Sequence, residues 1–139
     1  MAKVKDIMKS PVRTIFSDEP IINAIKMMKE LGFRRLPVLD RDNNLVGIVT
    51  DRDLRQATNS PVVFHDISYD EYLVNEIRVG ACMSSMPITI TPEADIVDAA
   101  RIMENMKIGG VPVVDNTGRI VGMVTVSDLI NYLIFILEQ

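Results

Sequence analysis

Two heptapeptides in this chain have residue types and spacing that suit an anionic ligand bearing hydroxyl groups. They are Gly47-Ile48-Val49-Thr50-Asp51-Arg52-Asp53 and Gly122-Met123-Val124-Thr125-Val126-Ser127-Asp128. In each, an apolar β-type run ends at a Thr and a helix is expected to open just after it. A helix N-terminus carries unpaired N–H groups and a partial positive charge, which suits phosphate. A Thr hydroxyl placed there can bond a phosphate or ribose oxygen. An Asp one turn in is poor for phosphate but can accept both hydroxyl protons of a ribose diol, as acidic residues do in dinucleotide folds. Together these groups fit an adenosine-type nucleotide. The same Thr-x-x-Asp spacing is also a capping box, whose side chains only satisfy helix-end donors. The double occurrence does not separate the two readings, because duplicated helices need duplicated caps.

Arg34 and Arg35 stand just before Leu36-Pro37, and their planar forks suit phosphate oxygens. The alternative is a solvated strand entrance. At the matching place later in the chain stand Gly109 and Gly110, which either admit a close backbone approach or simply make a turn. Arg52 offers a further phosphate partner, or a partner for Asp51 and the carboxylates of its own helix. His65 is the only histidine and has no neighbouring Cys, Ser or second His to form a dyad. Cys82 reads as a small apolar side chain and the nine methionines as core packing. Asp51 and Asp53 do not amount to a carboxylate cage for Mg²⁺. There is no P-loop, no GxGxxG and no nucleophile elbow. No catalytic or metal-binding residues are expected.

The elements that must position these groups come twice. At an offset of 75, Thr14-Ile15 returns as Thr89-Ile90, Pro37-Val38 as Pro112-Val113, and Asp53-Leu54 as Asp128-Leu129. Each copy reads β-α-β-β-α: a brief strand around Arg13–Phe16, a helix opened by Pro20 and closed by Gly32, two strands about an Asp/Asn-rich turn, and a helix from Asp51. The first-copy helix carries an apolar stripe of Ile21, Ala24, Ile25, Met28 and Leu31; the second carries Ile96, Ala99, Ala100, Met103 and Met106. The division expected is copy one over 1–57, a connector over 58–79 with a helix near Tyr69–Ile77, and copy two over 80–139. A unit of about 50 residues buries too little surface to be secure alone. The copies are therefore expected to pack as a pseudo-two-fold pair with two related clefts.

The 139 residues carry a net charge of −4, with 47% hydrophobic and 24% charged side chains. That is a globular composition. A single Cys excludes an internal disulfide. The charge is uneven, net +3 over 1–59 and net −7 over 60–139; this is either ordinary surface variation or a sign that any bound anion belongs mainly with the first half. Nucleic acid and anionic membranes are not expected as partners. Neither a signal core nor an apolar run of about 20 residues is present, and a cytoplasmic protein is expected. The last helix, from Leu129 to Leu137, is apolar nearly all round; it either docks a second copy or is fully buried.

These residues resemble a pair of CBS domains, the Bateman module. The likeness runs from about Val4 to Ile136. It is carried by Asp6-Ile7-Met8, Thr14-Ile15, Arg35-Leu36-Pro37-Val38, Gly47 to Leu54, and their second-copy equivalents. The layout is especially similar to the CBS region of acetoin-utilisation-type proteins. The resemblance implies an α/β (α+β) fold and a regulatory, non-catalytic sensor of AMP, ADP, ATP, S-adenosylmethionine or NAD. It implies a homodimer, with output to a partner in trans. Carried over residue by residue, Thr50, Asp53, Thr125 and Asp128 meet ribose or phosphate, with Arg52 and Ser127 inside the same motifs. Thr14, Ile15, Thr89 and Ile90 line adenine, with Pro37 and Pro112 in the segments beside it, and Arg34 and Arg35 reach phosphate. Gly109 and Gly110 depart from the basic pattern. The competing reading is a ligand-free dimerisation or interaction protein.

Overall fold

The computed structural model describes residues 2–58 and 75–139. The class is mixed α/β, as expected. The elements in chain order are α1 (Val4–Ile7), β1 (Ile15–Phe16), α2 (Ile21–Leu31), β2 (Arg35–Leu39), β3 (Leu45–Thr50) and α3 (Asp51–Thr58). There follow α4 (Val79–Cys82), β4 (Ser84–Ser85), α5 (Ile96–Met106), β5 (Gly110–Val114), β6 (Ile120–Thr125) and α6 (Val126–Leu137). Of the helix expected near 69–77, residues 69–74 lie outside the described residues, while Asn75 and Glu76 are helical. His65 also lies outside them.

The compact units are cut differently from the copies 1–57 and 80–139. One is Arg13–Met86; the other joins Met1–Val12 to Pro87–Gln139. Each copy's leading segment thus completes the body of the other copy. Val79 is fully buried among Ile21, Leu36, Val38 and Val49. Val4 is fully buried among Ala99, Val111, Val113 and Val124. Burying such a side chain stabilises by about 1.5–3 kcal/mol, so the leading segments are structural parts of the bodies they join. Backbone bonds tie them in place: Val79 N–H donates to the Glu19 carbonyl at 2.9 Å and Val4 N–H to the Ala94 carbonyl at 2.8 Å.

In the unit Arg13–Met86 the sheet order is β1-β2-β3-β4. β1 runs parallel to β2, with Ile15 beside Val38. β2 and β3 are an antiparallel hairpin that sets Arg35 opposite Thr50. β4 pairs antiparallel with β3, Ser84 opposite Ile48. The other unit repeats this order with its outer strands reduced to single bridges. The β5–β6 hairpin sets Gly110 opposite Thr125, Ile90 bridges Val113 in parallel and Lys9 bridges Met123 antiparallel. The hairpin glycines admit these edges. A Cβ on Gly47 would sit 2.8 Å from the Ser84 carbonyl oxygen, and one on Gly122 would sit 3.1 Å from that of Lys9.

The helices follow their stripes with two departures. Ile21, Ala24 and Met28 of α2 are buried, and Gly32 closes the helix in the left-handed region at φ 73°, where glycine pays no Cβ penalty. α5 buries Ala99 and Met103, but its end is taken by Lys107 at φ 55° rather than by a glycine. Leu31 and Met106, the last members of the two stripes, are exposed. The final helix α6 is not fully buried. Ile130, Leu133, Ile134, Phe135, Ile136 and Leu137 are all exposed, Leu137 by 73%, and only Leu129 packs against the core. Among the described residues no helix is long and apolar enough to cross a membrane.

Candidate functional site

Both heptapeptides fold as the sequence led us to expect, with a strand ending at Thr and a helix starting at the next residue. Both are capping boxes. At the first turn, Thr50 N–H donates to Asp53 Oδ2 at 2.9 Å and Asp53 N–H donates to Thr50 Oγ at 3.1 Å. At the second, Thr125 N–H donates to Asp128 Oδ2 at 2.8 Å and Asp128 N–H to Thr125 Oγ at 3.4 Å. Capping is therefore one role of these four side chains, and each box satisfies donors that would otherwise face solvent unpaired.

Arginines flank the first turn in sequence and in strand register. Arg35 is its cross-strand neighbour. Arg34 is exposed, and its carbonyl accepts the Asp51 N–H at 2.9 Å, which pins the α3 N-terminus to the entrance of β2. The equivalent bond in the other unit runs from Val126 N–H to the Gly109 carbonyl at 3.0 Å. The same backbone joint is thus built once with arginine and once with glycine. Arg52 is exposed; its N–H donates to the Asp51 carboxylate, whereas the ion pair with Asp51 is made by Arg55 at 3.6 Å. Between α2 and α3 lies a groove of about 260 Å³. Ile25, Met28 and Leu54 line it and Asp51 stands at its rim, but it includes neither Thr50 nor Asp53.

The remaining expected site residues divide by burial. Ile15 and Ile90 are buried, as are Pro37 and Pro112 in mid-strand. Side chains so placed fix where the backbone runs and leave little surface for a ligand. Thr14 is half-buried just before β1, while Thr89 and Ser127 are exposed. Near the first turn, burial and then the Asp53 carboxylate push the Cys82 thiol above its ordinary 9.0. That shift marks Cys82 as an unreactive, partly buried thiol.

Spacing did not disclose Lys9. Its ammonium bonds Asp128 Oδ1 across 119 residues of sequence. Asp128 is the one buried charged residue among the described residues. Further ion pairs among the described residues include those of Lys3 and Arg41. Lys3 pairs with Asp95 at 2.6 Å, and Arg41 holds Asp18 at 2.8 Å while lying 4.1 Å over the Phe16 ring. Among the described residues there is no group of three or more His, Cys, Asp and Glu that could hold a metal ion.

The CBS domain family model matches residues 4–60 and 74–134. CBSX2 of Arabidopsis thaliana, solved in complex with AMP, is 25% identical; the match covers 98% of each chain with a TM-score of 0.80. The acetoin utilisation protein AcuB of Vibrio cholerae is 30% identical over 99% of this chain and 94% of its own, with a TM-score of 0.81. The CBS domain pair of protein MJ0100, solved with 5′-methylthioadenosine and S-adenosyl-L-methionine, is 29% identical over 96% of each chain, with a TM-score of 0.79. The repeated element order and two matches of the family model make this chain a tandem member of the CBS domain family.

Proposed function

We propose that this chain is a non-catalytic regulatory module that binds an adenosine-containing ligand at its strand-to-helix turns and passes the signal to a partner in trans. One observation carries the reading: Thr50 and Asp53 sit at the N-terminus of α3 with Arg35 opposite Thr50. The hydroxyl and carboxylate suit a ribose, while the arginines and the helix N-terminus suit a phosphate. Neighbours of the same fold solved with AMP, methylthioadenosine and S-adenosylmethionine support an adenosyl ligand. Phosphate-directed arginines favour AMP, ADP or ATP over S-adenosylmethionine; NAD also carries the needed phosphates. The exposed apolar side of α6 supports a homodimer formed through that helix. A cytoplasmic setting fits the proposed partner and ligand.

A thermal-shift and calorimetric panel of AMP, ADP, ATP, S-adenosylmethionine and NAD tests the reading. A saturable rise in melting temperature is expected with at least one of them. Asp53→Asn keeps an acceptor for the Thr50 N–H but loses the charge, and is expected to lose most of that rise. If no adenosyl compound binds at millimolar concentration, the reading fails. The second reading, a ligand-free interaction protein, is favoured by the same α6 surface. It would stand if the chain dimerises through α6 and Asp53→Asn changes neither ligand response nor partner binding.

A further inference from the structure

The two turns share a capping box and differ in what remains open around it. At the second turn Asp128 Oδ2 accepts from both the Thr125 N–H and the Thr125 hydroxyl, the latter at 3.1 Å. Its Oδ1 accepts from the Lys9 ammonium. The Asp128 side chain is only 5% exposed. Its carboxylate therefore has two neutral donors on Oδ2 and one charged donor on Oδ1, and the Thr125 hydroxyl proton is spent inside the box. At the first turn the Thr50 hydroxyl accepts from Asp53 N–H and its proton remains to be given. Among the described residues, Asp53 Oδ1 has no donor. A ribose diol needs acceptors for two hydroxyl protons, and among the described residues only the first turn has a carboxylate oxygen without a donor.

The difference traces to one position of the exchanged leading segments. Lys9 lies opposite Met123 beside β6, and Ser84 lies opposite Ile48 beside β3. These are equivalent places at the offset of 75. Lysine reaches the carboxylate of the body it joins; serine at the same edge brings no charge.

We infer that Lys9 closes the Thr125–Asp128 turn as an internal counter-ion, so that the chain takes one nucleoside ligand, at the Thr50–Asp53 turn. This rests on the proposed function. Gly109 and Gly110, standing where the first unit has Arg34 and Arg35, remove the competing phosphate sites from the closed turn as well.

Calorimetric titration of the full chain with AMP tests the assignment. The wild type is expected to bind one AMP per chain. Asp53→Asn is expected to weaken it at least tenfold and Asp128→Asn less than twofold. Lys9→Ser, which reproduces the Ser84 edge, is expected to admit a second, weaker AMP, while Lys9→Arg keeps one. Amide spectra of each variant confirm that the fold is retained. Two AMP on the wild type, falling to one in Lys9→Ser, would assign Lys9 to phosphate capture and overturn the closure. A count of one that depends on Asp128, or a Lys9→Ser count that stays at one, would overturn it too. No AMP on any chain would overturn this inference; the proposed function falls with it only if ADP, ATP, S-adenosylmethionine and NAD fail to bind as well, an outcome distinct from a wrong count.

Discussion

The two bodies of this protein solve the same packing problem with the same strand order, yet they treat their helix entrances in opposite ways. In Arg13–Met86 the turn at Thr50 has Arg35 as its cross-strand neighbour and, among the described residues, an Asp53 oxygen without a donor. In the body that joins Met1–Val12 to Pro87–Gln139 the arginines are glycines and a lysine occupies the carboxylate. Duplication supplies two copies of a scaffold. What diverges is the charge placed around each turn, which the fold tolerates because both capping boxes remain intact. The cap and the charge around it are separable here, residue by residue.

The largest effect that can break this comparison is steric. Gly47→Ala would drive a Cβ to within 2.8 Å of the Ser84 carbonyl and against the Met83 side chain. Backbone cannot yield as a side-chain tip can, so a loss of about 1–3 kcal/mol is expected from overpacking. Gly122→Ala meets the Lys9 carbonyl at 3.1 Å and is expected to cost less. Urea unfolding of the two variants checks the ranking; an equal or reversed order would show that the two edges are not held alike.

A smaller difference is expected at the caps. Thr50→Ala and Thr125→Ala should each cost about 1 kcal/mol. Thr125→Ala should cost a few tenths more, because Asp128 is buried and loses the hydroxyl donor as well. Paired melts would refute this if Thr50→Ala proved the more costly.

The smallest effect is acid sensitivity. Asp95, hydrogen-bonded by Lys3, and Asp115, hydrogen-bonded first by Thr117, are both held below the usual 3.8. Asp18 is lowered in the same way by Arg41. A carboxylate with a depressed folded-state value stabilises above about pH 4. That contribution disappears as pH falls through the depressed value. Two of the three lie in the unit completed by Met1–Val12. Amide protection factors, which refer each rate to the intrinsic exchange rate at that pH, are therefore expected to fall first in β5 and β6 between about pH 5 and pH 2.5. Earlier exchange in β2 and β3 would contradict the assignment. Lys3 is raised above 10.5 by the Asp95 hydrogen bond, so its share persists below that value and fades as pH climbs through the raised one.

Much of the fold was legible because local signals and the repeat agreed. Pro20 and Gly32 bracket α2, and the Asp40 carboxylate accepts from the Asp42 and Asn44 N–H groups to close the β2–β3 turn. Asp115 repeats that bond pattern at Thr117 and Arg119. The Thr-x-x-Asp boxes were legible for the same reason, their partners being three residues apart. The exchange of leading segments was not. Val4 and Val79, Met8 and Met83 are the same residue types, so either segment offers either body the same anchors, and an offset comparison cannot tell which body it joins. Lys9 was hidden by that same step, since its significance exists only once it lies beside β6. The α5 C-terminus was hidden differently. Gly109 and Gly110 drew the eye, while Lys107 takes the left-handed conformation at a cost its own residue type does not advertise.

The exchange also sets a timetable for synthesis. Residues 1–12 leave the ribosome well before Val124 is made, yet Val4 finds its buried place only once the chain has reached Val124. The earlier body, for its part, stays without Val79 until the chain has passed that residue. Nascent chains halted after residue 58 would therefore hold an open core with no lid of their own. Contacts of such long sequence separation slow folding and lengthen exposure of apolar surface. Halving the gene between its repeats would strand each anchor from the body it serves, so the genetic duplication and the physical modules do not share a boundary.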